Sequence, residues 1–327
     1  MDFRYIVHVN HSSVPHFSRR IFVTLGKQLP VVAFTSALLL GTCLAKESPA
    51  YPTDVRVEKD VAYLAEDRKE KADLYSPFEK KPGVPMHAVV VIHGGGFNDG
   101  DKARSREINI ARNLALNGYL AMSIDYKLRK SKDQVTWPQS VYDAKTAVRW
   151  LRKNADKLGI DAERIGVIGG SAGGNLAAML ATTGPADGLD PEGPYGEFSA
   201  KVACAIDLYG AVDLMNYHDM KMFAKTREEA PELYKKGSPL TYVDAKDAPL
   251  MMIHGTADTT VNLSQSETLA AAMAKAGAPH ELIVIPGAVH TFDLQPKERD
   301  LRPVVLGFFD KNLRQSVSSS AAEPVKK

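Results

Sequence analysis

Along the chain, short continuous apolar runs alternate with longer segments of helical spacing. Residues 54–76 alternate in patches, with Val55 and Val57, then Val61 and Tyr63, then Ala72 and Leu74. This predicts early antiparallel strands around a charged, solvated turn at 66–71. From there strands and helices follow one another. MHAVVVIHGG at 86–95 is a buried strand and YLAMSIDY at 119–126 a second, with a helix over 104–117 between them. Residues 138–157 put Val141, Ala144, Val148 and Leu151 on one helical face. RIGVIGG at 164–170 is a third strand that runs into a helix starting near Ser171. KVACAIDLYG at 201–210, APLMMIHG at 248–255 and HELIVIPG at 280–287 are three more. Helices over 263–276 and 297–314 complete the pattern, and the polar end QSVSSSAAEPVKK reads as a disordered tail over 315–327.

Continuous apolar strands alternating with helices imply a mainly parallel central sheet covered by helices on both faces, the α/β class. No repeat and no Pro/Ser-rich linker interrupts 54–314, which reads as one domain. The longest insertion between strands, 211–246, is too short for a domain of its own and reads as a small lid or part of a substrate wall.

Composition changes this picture little. The chain has 327 residues, 44% of them hydrophobic and 24% charged, ordinary for a globular enzyme. Its net charge is +2, too balanced for a nucleic-acid binder. The basic excess sits in residues 1–45, which carry Arg4, Arg19, Arg20 and Lys27 against Asp2. There an apolar run, LPVVAFTSALLLGT at 29–42, follows a basic stretch and precedes Cys43-Leu44-Ala45. The run is too short to span a membrane, which takes about 20 apolar residues. It predicts a signal peptide cleaved after Ala45, export to the periplasm or medium, and no stable membrane insertion afterwards. Ser18-Arg19-Arg20-Ile21-Phe22-Val23 resembles a twin-arginine export motif, although paired arginines also serve as a plain basic n-region. Thr42 makes Cys43 a poor lipoprotein anchor. Cleavage leaves Cys204 alone in an apolar strand, without a disulfide partner, and no Cys/His spacing suggests a metal site.

The chemistry concentrates at strand ends. Gly169-Gly170-Ser171-Ala172-Gly173 is a G-x-S-x-G where an apolar strand meets a helix. In that context the serine hydroxyl is presented on a sharp turn that the glycines allow to close. The helix N-terminus favours developing negative charge there. On its own the motif leaves an ordinary glycine-rich turn open. His93-Gly94-Gly95-Gly96-Phe97 ends the 86–95 strand and frees N–H groups of the kind that hold an oxyanion. A phosphate loop is the alternative, but neither G-x-G-x-x-G nor G-K-[ST] follows. Gly95, Gly96 and Ala172 are the expected oxyanion donors. A serine nucleophile needs a base and an orienting acid. Asp258 and His290 follow the next strands in the order Ser, acid, His, at the carboxyl ends where open parallel sheets place their sites. His87 and His280 begin strands, His93 and His254 read as loop-shaping residues beside glycines, and His218 lies in the insertion. Asp213 comes one strand early and Asp207 lies within a strand, so Asp258 is preferred as the acid.

With these elements in order, the chain resembles the α/β-hydrolase esterase/lipase family over about 54–314. It is most similar to hormone-sensitive-lipase-like esterases and to exported acetylxylan/feruloyl-type carbohydrate esterases. HGGGF at 93–97, DYKL at 125–128, WPQSVYDAKTAVRWLRKNA at 137–155, DAERIGVIGGSAGGNLAAML at 161–180, HGTAD at 254–258 and VHTF at 289–292 carry the resemblance. It implies Ser171, Asp258 and His290 as the triad, Gly95, Gly96 and Ala172 as the oxyanion hole, and no metal or organic cofactor. It gives Asp143 and Trp150 structural positions. The chain lacks the proline-rich YRLAPE continuation after DYKL and a long N-terminal cap, which favours the carbohydrate-esterase side and an open site. The implied activity is hydrolysis of short-chain esters, acetyl or feruloyl, on a small ester or acylated polysaccharide. The charged residues of 211–246 read as a solvated helical surface rather than a long-chain lipase lid. Two other readings are a prolyl-oligopeptidase-type exopeptidase, which usually carries a propeller, and a silent binding protein on the same fold, which typically lacks a triad member.

Overall fold

A computed structural model describes residues 51–314 apart from Pro82 and Pro191. The leader expected at 1–45, Cys43 included, and the tail expected at 315–327 lie outside the described residues. Among those described, eight strands form one sheet: β1 (Arg56–Val61), β2 (Ala72–Ser76), β3 (Met86–Ile92), β4 (Leu120–Ile124), β5 (Ile160–Gly170), β6 (Cys204–Leu208), β7 (Leu250–Gly255) and β8 (His280–Ile285). Their order is β1-β2-β4-β3-β5-β6-β7-β8. β1 and β2 pair antiparallel, as does β2 with β4, and every pair from β4 to β8 is parallel.

The helices are α1 (Ser105–Leu116), α2 (Gln139–Lys153), α3 (Ala155–Leu158), α4 (Ala172–Thr182), α5 (Pro231–Lys236), α6 (Ser264–Ala276) and α7 (Arg302–Phe309). Strand alternation sorts the apolar side chains into two cores. Ala88, Val90 and Ile92 of β3 join the core under α2, α4 and α6, whereas Val89 and Val91 join the core under α1 and α7. The predicted face of α2 holds: Val141, Ala144, Val148 and Leu151 are all fully buried. Cys204 is buried on central β6, in the α1/α7 core.

Two helices differ from expectation. The stretch read as one helix over 138–157 breaks at Asn154, whose Nδ2 donates to Trp150 O at 2.8 Å and so competes for the helix's own carbonyls. The last helix starts at Arg302 rather than 297 and ends in a π turn at 310–314. Pro303 lacks the N–H an interior position needs, so it fixes the first turn there.

The 211–246 insertion is a wall packed onto the domain. It consists of short 3₁₀ turns and α5, with Leu214, Met222, Phe223 and Tyr234 buried in the α4 core. Gln265 of α6 accepts from the N–H groups of Val212 and Asp213 at 2.8 and 2.7 Å. Asn175 donates to Ala211 O at 2.8 Å. The charged groups Asp219, Lys225, Glu228 and Glu229 face solvent as expected, but from turns and irregular backbone rather than from the helical surface expected there.

Candidate active site

β5 runs straight into α4, and Ser171 stands at the joint with φ 58° and ψ −118°. The turn is held closed because Ser171 N–H donates to Leu208 O and Asn175 N–H to Ser171 O. Its tightness explains the glycine two residues on: a Cβ on Gly173 would stand 2.1 Å from Ile92 O, a backbone atom that cannot yield cheaply. The loop after β3 is just as special. Gly95, Gly96 and Phe97 take φ of 117°, 60° and 62°.

Ser171, Asp258 and His290, from three strand ends, meet. His290 Nε2 lies 2.9 Å from Ser171 Oγ, and His290 Nδ1 lies 2.6 Å from Asp258 Oδ2. A carboxylate can only accept, so Nδ1 carries the proton and Nε2 offers its lone pair to the hydroxyl. Asp258 Oδ1 accepts from the N–H groups of Thr260 and Val261, each at 2.9 Å. A cavity of about 570 Å³ opens above the serine. Gly95, Gly96, Ala172, Ser171 and His290 all line it, so the six residues singled out in the sequence converge, with Asp258 behind the histidine. The far wall is Tyr217, His218, Met220 and Lys221 of the insertion. The rival acids do not hold His290, whose two ring nitrogens are taken by Asp258 and Ser171. Asp213 accepts from Asn216 Nδ2 at 2.7 Å. Asp207 accepts from Gly210 N–H at 2.7 Å, and burial pushes its carboxyl up to about 7.

The other histidines follow their expected places, with one addition. His93 is buried, stacks on Tyr126 at 4.3 Å, and contacts Gly94 O through Nδ1; burial pushes it down to about 4, so it is neutral. His254 shapes its loop through Val261 O and Ser266 Oγ, at 2.8 and 2.7 Å, and its Nε2 also lies 3.3 Å from Asp258 Oδ2. Burial lowers its pKa, and the neutral ring stands beside the acid with Nε2 against Val261 O. The i, i+4 spacing in HGTAD was the available signal for this. Asp143 is structural as the resemblance implied: it is fully buried and accepts both Nη atoms of Arg68, at 2.9 and 2.7 Å.

Sequence reasoning missed Tyr209 and Arg106. The Tyr209 ring meets His290 edge-on at 4.8 Å, and its hydroxyl donates to Phe292 O at 2.6 Å. Burial pushes that hydroxyl up to about 12, so it stays a donor. Strained backbone collects here. Phe97, Ser171, Tyr209 and Thr291 are four of the seven described non-glycine residues with positive φ, and all four flank the site.

Residues 72–273 match the BD-FAE protein family. The esterase LipQ of Mycobacterium tuberculosis is 30% identical over 246 residues, which are 72% of this chain and 57% of that protein. The chain spans little more than half the length of the mycobacterial relatives it matches. A truncated carbohydrate esterase from gut microbiota superposes with a TM-score of 0.74 at 26% identity, covering 82% of this chain and 100% of that one. The butyrate-bound esterase 2 of Thermogutta terrifontis does so with a TM-score of 0.65 at 27% identity, over 79% and 94% of the two chains. The α/β-hydrolase fold expected from the motifs is the fold observed.

Proposed function

This chain belongs to the BD-FAE family, and we propose that it is a serine esterase that removes short acyl groups, acetyl foremost and feruloyl as the variant, from carbohydrate. The observation that carries this reading is the unbroken hydrogen-bonded series Ser171 Oγ, His290 Nε2, His290 Nδ1, Asp258 Oδ2 beneath an open cavity.

Ser171 Oγ attacks the acyl carbonyl as His290 Nε2 takes its proton. The N–H groups of Gly95, Gly96 and Ala172 receive the oxyanion; one such donor is worth about 3–4 kcal/mol of barrier. Asp258 holds the imidazole tautomer and offsets the imidazolium charge. His290 then gives the proton to the leaving alcohol oxygen. Water attacks the acyl-enzyme through the same base, the carboxylic acid leaves, and Ser171 recovers its proton.

The wall with Tyr217, His218 and Lys221, which brings polar groups to the cavity, supports a sugar-bearing alcohol rather than a long acyl chain. Likeness to a carbohydrate esterase supports the same side. The basic, apolar leader supports export, testable by sequencing the mature N-terminus. The decisive experiment is acetate release from acetylated xylan by the chain lacking residues 1–45, with Ser171→Ala as the blank. Release that vanishes in the variant is expected. Cleavage of a small aryl acetate without release from xylan keeps the serine chemistry and moves the substrate. Silence on both overturns the reading.

A further inference from the structure

The cavity contains a guanidinium that these steps leave unused. Arg106, near the start of α1, lines the cavity with its side chain only 14% exposed. Its Nε and Nη2 lie 2.8 and 2.6 Å from Glu107 Oε1, a carboxylate that is 1% exposed. This pairing makes a buried cation tenable, since either partner alone would be an uncompensated charge. Nη1 donates to Tyr209 Oη at 3.0 Å. Tyr209 in turn donates to Phe292 O, two residues beyond His290, and packs its ring against that imidazole.

The guanidinium also lies against two glycines. A Cβ on Gly94 would stand 2.7 Å from Gly170 O and 3.1 Å from both Nη2 and Ser171 Cβ. A Cβ on Gly170 would stand 2.9 Å from Nη1 and 3.0 Å from Tyr209 Oη. Gly94 precedes the oxyanion donor Gly95, and Gly170 precedes Ser171. Both glycines leave room for the arginine to pass close to the backbone. One planar group thus contacts the loop after β3, the turn after β5 and, through Tyr209, the turn after β8. An ammonium has neither the fork nor the reach for three directions.

We propose that Arg106 is a positioning residue whose guanidinium holds the oxyanion loop, the Ser171 turn and, through Tyr209, the His290 turn in mutual register. The proposal rests on the serine-esterase reading. Its energetic sense is that a displacement of about 1 Å among reacting groups costs about 100-fold in rate.

The test measures aryl acetate hydrolysis by the wild type, R106A, R106K, Y209F and R106A/Y209F, with a fluorophosphonate to label Ser171. R106A is expected to lose about 100-fold in kcat with KM moved by less than about threefold. Millimolar guanidinium should restore R106A at least about tenfold and leave the wild type unchanged, while R106K stays near R106A. Y209F should lose about tenfold, and the double variant should be no worse than R106A, because both changes cut one path. A kcat of R106A near wild type, a double variant equal to the product of the singles, or failure of guanidinium rescue in folded R106A overturns the proposal. If R106A does not fold, Y209F decides alone: an unchanged kcat overturns the link and a loss supports it. A wild type that neither turns over nor labels overturns the esterase reading and this one with it. A labelled, active wild type beside an unimpaired R106A sinks only the proposal.

Discussion

On the side of β3 and β5 the site is built by main chain, and on the side of β7 and β8 largely by side chains. Ser171 is set by a turn with φ 58° wedged against Ile92 O, and the loop after β3 by residues with positive φ. His290, by contrast, is set by Asp258 and the Tyr209 ring, with His254 standing behind the acid. A backbone wedge has no partial form, because a Cβ either fits or displaces the strand. A side-chain network loses its members one at a time. The two halves should therefore fail differently, the first abruptly and the second in steps.

Gly173→Ala is the largest test. The added methyl meets Ile92 O, so turnover should fall to the Ser171→Ala level and the thermal midpoint should drop; retention of a tenth of the activity would show the wedge to be soft. Asp258→Asn comes next. It keeps the shape but misassigns the imidazole proton, and kcat should fall about 10⁴-fold at an unchanged midpoint. A midpoint that also collapses would mean the side-chain half is as brittle as the other.

Asp207→Asn probes a carboxyl packed under the Ser171 turn against Gly174. Its pKa of about 7, raised by burial, lies above the ordinary aspartate value near 4, so the folded state keeps a proton that the unfolded chain has released. Stability from this group is therefore present below about pH 4, falls as pH rises to about 7, and is level beyond. The total is on the order of a few kcal/mol. The variant should melt ever higher than the wild type from pH 4 to pH 7, with the gap constant above; parallel curves would refute it. Gln265→Ala is the mildest. It unties Val212 and Asp213 from α6, at about 1–3 kcal/mol for the N–H groups left without a partner. KM should rise a few-fold as the cavity wall loosens, and an unchanged KM would detach that wall from substrate binding.

The same division explains what the sequence disclosed. Ser171, Asp258 and His290 follow strands whose apolar runs are continuous, and chain order then separates them from Asp213 and five other histidines. The insertion's buried Leu214 and Phe223 were harder to foresee, because their spacing among charges mimics a solvated surface. Arg106 and Tyr209 are 103 residues apart, and their bond has no signature in either neighbourhood. His254 looked like a loop residue because its i, i+4 spacing to Asp258 in HGTAD brings the two together only once the turn between them has folded. The start of the last helix was readable in Pro303, whose missing N–H belongs to a first turn, and the charged run at 297–300 before it offers no apolar face.

Cys204 gives the molecule a built-in clock. It is the only thiol among the described residues, it is fully buried in the centre of the sheet, and burial pushes its pKa far up. A thiol reagent can reach it only when the strand between β5 and β7 comes apart. In the chain lacking residues 1–45, its modification rate therefore times how often the whole domain opens, with no label to engineer and no denaturant to extrapolate from.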